Sequence, residues 1–491
     1  VSDTPALPPL LSSAPRILPP GDPGFRPPIL AYRRYAEAVA AAGGGTPVRI
    51  AIERESGLRS CFTTPILPPG PATTPATLRL VERIVKFLLW SRGGWRILLQ
   101  APPEIGLPIR EAYAHGGARG FDAALMARVY GFDFAVEIVD EATCPESSEN
   151  ALALGGHWDG CRLGFDLGAS DFKLAAVRDG ETVFTAEIPW QPQTQSDPAY
   201  HYDHLREGLR AAAAHLPRVD AIGGSAAGIY IDNQVRSASL FRGVPPDIFE
   251  RTVKSMFLRM RREWGVPLEV VNDGEVTALA ARLSLGQPSV LGLAMGSSQA
   301  AGFIDAAGTL PGWLDELAFA PVDMRPDAPA DEWSGDRGVG ANYYSQQATA
   351  RLAPALGIAF PAGMGLPERL AGLQDLMARG DERAAGVFET IGVYLGYTLP
   401  WYELFYDYRH VLVLGRVLTG RGGDILVRKA SHVLAEEFPE TARRVTIHVL
   451  DDKSRRVGQA VAAASLPVLK KAGAAAATSD GARARLLPDA P

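Results

Sequence analysis

Cysteine is almost missing from this chain: Cys61, Cys144 and Cys161 are the only three in 491 residues, far apart and without a CxxC pair. That argues against a disulfide framework and a thiolate zinc site, and it fits a reducing compartment. Positive charge is also short, with 49 Lys and Arg against 55 Asp and Glu for a formal net charge of −6. No overall field gathers phosphate backbones or anionic lipid, which argues against nucleic acid and membrane surfaces as partners. Nowhere do about 18 apolar residues run together, as a bilayer span requires. The Pro-rich start, PALPPLLSSAPRILPP, lacks the charged, apolar and cleavage regions of an export signal, so a cytoplasmic location is expected.

What is present is the composition of a folded, water-soluble enzyme: 47% hydrophobic and 21% charged residues, with 51 glycines and 39 prolines. The length predicts about three domains, or two large lobes with additions. Residues 1–46 read as a Pro-rich extended arm with little regular structure. Residues 47–155 read as an α/β module of unassigned role, with a long amphipathic helix over 76–90, strands over 95–100 and 134–139, and a polar linker over 143–154. A first lobe is expected over 161–285, a second over 286–470, and a loose tail over 471–491.

The stretch 161–178 carries the first site signal. A strand over 162–167 contains Asp166, small residues follow at 168–170, and a second strand runs over 172–178, joined through the strong hairpin turn Asp179-Gly180 to a third. This puts a carboxylate at a strand end before a turn whose small residues, Gly168 and Ser170 among them, let backbone N–H groups approach an anion. Such a turn is a phosphate cradle with a metal anchor at Asp166; an Asp before a glycine turn is also ordinary hairpin chemistry. The pattern returns where Gly296, Ser297 and Ser298 lie between apolar strands over 290–295 and 300–305. Two facing Gly/Ser hairpins are what two lobes need to grip the phosphates of a nucleotide. Between them, Asn272-Asp273 ends the strand LEVV before a helix. Asp273 is the candidate base, placed to take the proton of a hydroxyl aimed at a γ-phosphate. Its other reading is an N-cap for that helix, and the two roles can coexist.

Other motifs carry less. GRVLTGR at 415–421 approaches a Walker loop, but Arg421-Gly422 stands where Lys-Ser/Thr is required. GGSAAG at 223–228 fits neither a nucleophile elbow nor a dinucleotide fingerprint, because a strand follows it. His201 and His204 have helical spacing for a metal, yet a solvated helix start accounts for them. Residues 247–264 read as one helix with a methionine-bearing core face, and the aromatics of 394–408 as core or interface.

In this order the motifs resemble the actin-like ATPase and sugar-kinase superfold, and within it the ROK (repressor, open reading frame, kinase) group, over 161–470. Asp166-Leu-Gly168-Ala-Ser170 resembles the first phosphate motif, with serine in the threonine position. Asn272-Asp273 matches the catalytic pair, and GSSQAAG at 296–302 loosely matches the second phosphate motif. Asp315-Glu316-Leu-Ala-Phe319 resembles the sugar signature, so Glu316 inherits a sugar-hydroxyl contact while Phe319 replaces histidine, as an aromatic platform or a changed pocket. Ser239, within SASLFRG, stands where the family has a sugar-loop asparagine. Gly415 resembles the adenosine contact. The family's cysteine-rich zinc loop corresponds to GDRGVGANYYSQ at 335–346, which has glycines instead, so no zinc site is expected.

The fold class this implies is α/β: a two-lobed, actin-like (ribonuclease H-like) fold with an additional N-terminal α/β module. The activity implied is ATP-dependent phosphorylation of a sugar or polyol hydroxyl, with Mg²⁺ at Asp166 directly or through water, and a homodimer as the default assembly. The alternatives are a non-catalytic sugar- or nucleotide-sensing regulator and a partner-coupled ATPase.

Overall fold

A computed structural model describes residues 6–149, 154–169, 171–449 and 452–469. Ser170 and the expected tail over 471–491 lie outside the described residues. Three open sheets organise the chain. The N-terminal sheet has the order β2-β1-β3-β4, built from β1 (Thr46–Glu53), β2 (Arg59–Ile66), β3 (Arg96–Gln100) and β4 (Ala135–Ile138). The central sheet takes β5 (Cys161–Leu167), β6 (Asp171–Arg178), β7 (Glu181–Pro189), β8 (Ala221–Ala226) and β11 (Leu268–Asn272) in the order β11-β8-β5-β6-β7. Between β8 and β11, β9 (Ile229–Ile231) and β10 (Gln234–Ser237) form a two-stranded ribbon. The last sheet takes β12 (Val290–Met295), β13 (Gln299–Ile304), β14 (His410–Leu414) and β15 (Thr446–Val449) in the order β13-β12-β14-β15.

The second and third sheets share a plan. Each opens with an antiparallel hairpin, β5-β6 or β12-β13, and adds two parallel strands beside the hairpin's first strand. The central sheet has a third antiparallel strand, β7, beyond β6. After β13 the last sheet has none, and the chain leaves as an irregular segment that reaches Asp315 and Glu316.

The two lobes exchange helices. The helix Asp273–Leu285 follows β11 of the central sheet but packs on β12 and β13, and the helix Asp452–Ala464 returns from the last sheet to pack on β5, β6 and β8. Glycine permits both crossings: a Cβ on Gly164 or Gly223 would overlap the carbonyls of Ala460 and Ala463, and a Cβ on Gly274 would overlap that of Ala301. Packing therefore does not follow a division of the chain at residues 285 and 286.

The N-terminal arm departs from the sequence expectation. Residues 28–41 are a helix, Pro28–Ala41, and Leu11, Phe25, Ile29, Tyr35 and Val39 are buried. Proline at the start of a helix costs nothing, because the N–H it lacks has no intrahelical partner there. These residues, the first sheet and the helices that follow β13 share one hydrophobic core. Phe25 lies 4.6 Å from the Tyr394 ring, and Asp22 accepts from Tyr394 Oη at 2.6 Å and pairs with Arg325 at 2.9 Å. The expected module over 47–155 is thus packed into the last lobe.

At its centre the helix Thr74–Arg92 is buried nearly all round, charged residues included. Arg83, Lys86 and Arg119 converge on Asp336 at 3.1, 3.1 and 2.6 Å, while Glu82 pairs with Arg83 and Arg119, and Asp122 with Lys86. The expected single helix over 247–264 is interrupted: Pro246–Ile248 is α-helical, Phe249–Val253 forms a π-turn, and Met256–Trp264 resumes as α-helix.

Candidate active site

Strand register sets the surroundings of Asp166. Lys173 faces it across the β5-β6 pair and Ser225 across the β5-β8 pair. Ser225 Oγ donates to Asp166 Oδ1 at 2.6 Å, and Lys173 Nζ lies 3.8 Å from Oδ2. Burial raises the Asp166 pKa, and the Lys173 charge and the Ser225 hydroxyl oppose that rise. In the turn that follows, Gly168 N–H donates to the Asp171 carbonyl at 3.0 Å, and the Gly168 carbonyl accepts from Trp190 Nε1 at 2.8 Å. Ser170 cannot be placed, being outside the described residues.

The second turn is one residue shorter. Gly296 N–H donates to the Ser298 carbonyl at 2.9 Å, Ser297 and Ser298 are exposed, and Gln346 N–H donates to the Gly296 carbonyl at 2.9 Å. Gly415 lies against it: at φ 108° it is in the region that favours glycine, and a Cβ there would overlap the Met295 carbonyl.

Between the turns the helix Asp273–Leu285 begins. Asn272, not Asp273, is its N-cap: Asn272 Oδ1 accepts from Gly274 N–H at 2.7 Å, and Asn272 N–H donates to Glu275 Oε2 at 3.1 Å, a capping box. Asn272 Nδ2 donates to the Gly228 carbonyl at 2.7 Å. With the N-cap supplied by its neighbour, Asp273 is the first helical residue, and its side chain is half-buried. Its pKa is pushed up to about 6 by burial and then by the charge of Asp166, against the backbone N–H groups of Gly274 and of Asp273 itself.

Glu316 belongs to the same field. Its pKa is pushed up to about 8 by burial, then by Asp273, Asp315 and Glu275. Glu275 is likewise pushed up to about 8, by burial and Asp315. Burial pushes Asp315 up to about 6, against the Tyr406 hydroxyl, which donates to it at 2.7 Å, and the nearby Arg92 charge, both of which lower it. Asp166, Asp273 and Glu316 are therefore brought together with two carboxyls, Glu275 and Asp315, that sequence reasoning assigned no role. Ser225 lies in the GGSAAG stretch, which fitted no motif; its one signal is that it ends a buried strand parallel to the one bearing Asp166.

Ser239 is exposed, one residue beyond Ala238, which lies against Gly228 and so beside the Asn272 amide. Phe319 does not form a platform: it is buried, its ring 4.4 Å from that of Trp90 and 5.4 Å from that of Trp333. His201 is buried rather than solvated, with Nε2 within 3.0 Å of the Pro192 carbonyl and 3.1 Å of the Leu240 carbonyl. Among the described residues no group of three or more His, Cys, Asp or Glu is set to hold a metal ion, and no helix is long and apolar enough to cross a membrane. An open groove of about 580 Å³ starts at Ala169 and runs past Trp190, Gln193, Gln195 and Tyr200 without reaching Asp273.

No protein-family model matches the chain, and no curated protein matches it. Solved structures do. A ROK family transcriptional regulator, a homologue of the E. coli MLC protein, aligns with TM-score 0.51 and 19% identity over 62% of this chain and 77% of its own. A ROK hexokinase from Thermus thermophilus aligns with TM-score 0.48 and 18% identity over 62% of this chain and 96% of its own. A ROK family glucokinase from Streptomyces griseus, solved with glucose and AMPPNP, gives 0.48 and 20% over 62% of this chain and 98% of its own. Identities this low speak of architecture alone. The paired sheets, the exchanged helices and the alignment with the regulator agree on it: this chain carries the two-lobed, actin-like fold of the ROK proteins.

Proposed function

We propose that this protein transfers the γ-phosphoryl group of ATP to a hydroxyl of a sugar or related polyol. The observation that carries the reading is the Asp273 carboxyl, at the first position of a helix that Asn272 caps, beside Asp166 and with its pKa pushed up to about 6. A general base works best with a pKa near the operating pH. Asp273 takes the proton of the attacking hydroxyl. Glu316, near 8, keeps its proton at neutral pH and can both donate to and accept from substrate hydroxyls. Asn272 fixes the start of the helix beside the acceptor, and Ser239 borders it.

The turn with Gly168 and Ser170 on one lobe, and that with Gly296, Ser297 and Ser298 on the other, would face the phosphates with backbone N–H and hydroxyl groups, the N–H groups of Gly168 and Gly296 themselves being used inside the turns, with Gly415 bordering the adenosine. Magnesium is commonly held by one or two carboxylates together with waters and substrate phosphates, so Asp166 beside the first turn suits it. A bound magnesium ion neutralises charge on the β- and γ-phosphates. Closure of the lobes excludes water from the transfer.

The test is ADP release by purified protein with a panel of sugars, with polyols and with no acceptor, for the wild type and Asp273→Asn. The variant is expected to bind nucleotide and lose turnover by several orders of magnitude; near-normal ADP release from it refutes the assignment. A second reading, a sensor that binds ligand without turnover, is favoured by Phe319 being turned against the helix Thr74–Arg92 and by serine at position 239. Calorimetric sugar binding with no ADP release would select it, and ADP release indifferent to acceptor would select a partner-coupled ATPase.

A further inference from the structure

The irregular segment after β13 has no sheet to hold it, yet it carries Asp315 and Glu316 into the acidic field of the site. The helix Thr74–Arg92 holds it instead. A helix leaves its last carbonyls without intrahelical partners. Here three of them are taken in succession: Leu314 N–H donates to the Arg92 carbonyl at 3.2 Å, Asp315 N–H to Ser91 at 3.0 Å, and Glu316 N–H to Trp90 at 3.0 Å. Gly93, at φ 74°, ends the helix where a Cβ would press on Leu314 Cβ at 2.9 Å.

Side chains fasten the segment on both flanks. Before Glu316, the buried Arg92 guanidinium lies 3.5 Å over the Trp313 ring and 4.8 Å over that of Tyr406, and donates to the Phe405 carbonyl. After it, Phe319 packs on Trp90. Asp315 has φ 51°, an unfavourable backbone for a residue with a Cβ, which persists only when its surroundings fix it. Those surroundings are the Ser91 carbonyl, the Tyr406 hydroxyl at 2.7 Å and the nearby Arg92 charge.

We propose that Arg92, at the end of the helix Thr74–Arg92, is a positioning residue that fixes Asp315 and Glu316 on the acceptor side of the cleft, so that the N-terminal segment completes the active site. The proposal deepens the kinase reading and rests on it for its kinetic consequences. Asp315 touches no reacting atom; it transmits the geometry and charge set by Arg92 and Tyr406 to Glu316.

Tyr406→Phe removes one hydrogen bond to Asp315 and keeps the ring under Arg92. We expect an acceptor KM at least tenfold higher, kcat changed less than threefold, nucleotide affinity within twofold, and a shifted pH profile of kcat/KM, because Asp315 then ionises at higher pH. A folded Tyr406→Phe with wild-type acceptor KM and wild-type pH profile overturns the proposal. Should the wild type turn over no acceptor, the kinase reading fails by itself, and the positioning is judged by hydrogen exchange at amides 314–316 in Arg92→Met. Exchange at least tenfold faster there, with β5–β8 unchanged, supports it, and unchanged exchange overturns it. If Arg92→Met does not fold, the same exchange readout on Tyr406→Phe decides.

Discussion

Gly274 and Ala301 meet backbone to backbone: a Cβ on Gly274 would overlap the Ala301 carbonyl, and one on Gly302 would overlap the Gly274 carbonyl. This contact seats the first turn of the helix Asp273–Leu285 on β13, whose other end carries the turn Gly296–Ser298. The contact ties Asp273 to the strand that follows the second turn.

Gly274→Ala is expected to cost about 1–3 kcal/mol, as inserted core volume does, and to lower ADP release more than tenfold by displacing Asp273. Gly458→Ala is the control: it lies in a helix with open space around its would-be Cβ, and it should be neutral or stabilising. Urea unfolding and the ADP assay on both variants check this, and equal behaviour of the two would refute the backbone-contact argument.

The raised pKa of Asp273 makes a second prediction with a definite sign. In the unfolded chain an aspartate titrates near 3.9; here Asp273 titrates near 6. The native state holds the proton more tightly, so this group favours folding at low pH and becomes a cost as pH rises through 6. Asp273→Asn should therefore be more stable than wild type by roughly 1–3 kcal/mol at pH 7.5, with the advantage gone below pH 4, while activity is lost. In the wild type, kcat/KM should fall about tenfold per pH unit below 6. Unfolding at both pH values and a pH–rate profile measure these two effects separately.

Local pattern made the hairpins legible in the sequence. Alternation and glycine turns bounded β5, β6, β12 and β13 within a residue or two, and Asp179-Gly180 adopts positive φ at both positions, 49° and 86°, as the mirror-image hairpin turn requires. Asp166 and Asp273 stood out because each lies close to the end of an apolar strand. What stayed hidden depends on residues distant in sequence. Nothing near Glu275 announces that its carboxyl faces Asp315, and nothing near Trp90 announces that it backs Phe319. Proline density obscured the helix Pro28–Ala41, whose prolines sit only at its start. The helix over 76–90 read as amphipathic, and the burial of its charged residues stayed hidden because their partners Asp122 and Asp336 come from elsewhere in the chain.

That buried network gives a third prediction. Asp336 meets Arg83, Lys86 and Arg119, and their positive charges overcome its burial and hold its carboxyl at about 2. A lowered carboxylate pKa contributes stability above its unfolded value near 4, lost as pH falls toward 2. Asp336→Asn leaves buried cations short of a counter-charge, which costs about 3–5 kcal/mol when one partner of such a group is removed. Chemical denaturation at pH 7 should show a loss of this size, and a loss below 1 kcal/mol would show that the network relaxes around the amide.

Ser225 offers the narrowest test of the first turn, because its hydroxyl donates to Asp166 at 2.6 Å. Burial raises the Asp166 pKa, and the hydroxyl and Lys173 lower it. Ser225→Ala removes one of these two opposing influences without adding bulk, so Asp166 must ionise at higher pH than in the wild type. A protonated Asp166 can neither attract a divalent cation nor order its waters. Magnesium-dependent nucleotide affinity in Ser225→Ala should therefore fall further below wild type at the lower of two pH values than at the higher, whereas nucleotide affinity without magnesium should not depend on the substitution at either pH. Calorimetric titration of ADP with and without magnesium at the two pH values distinguishes this from general damage to the strand, which would weaken binding equally in all four conditions.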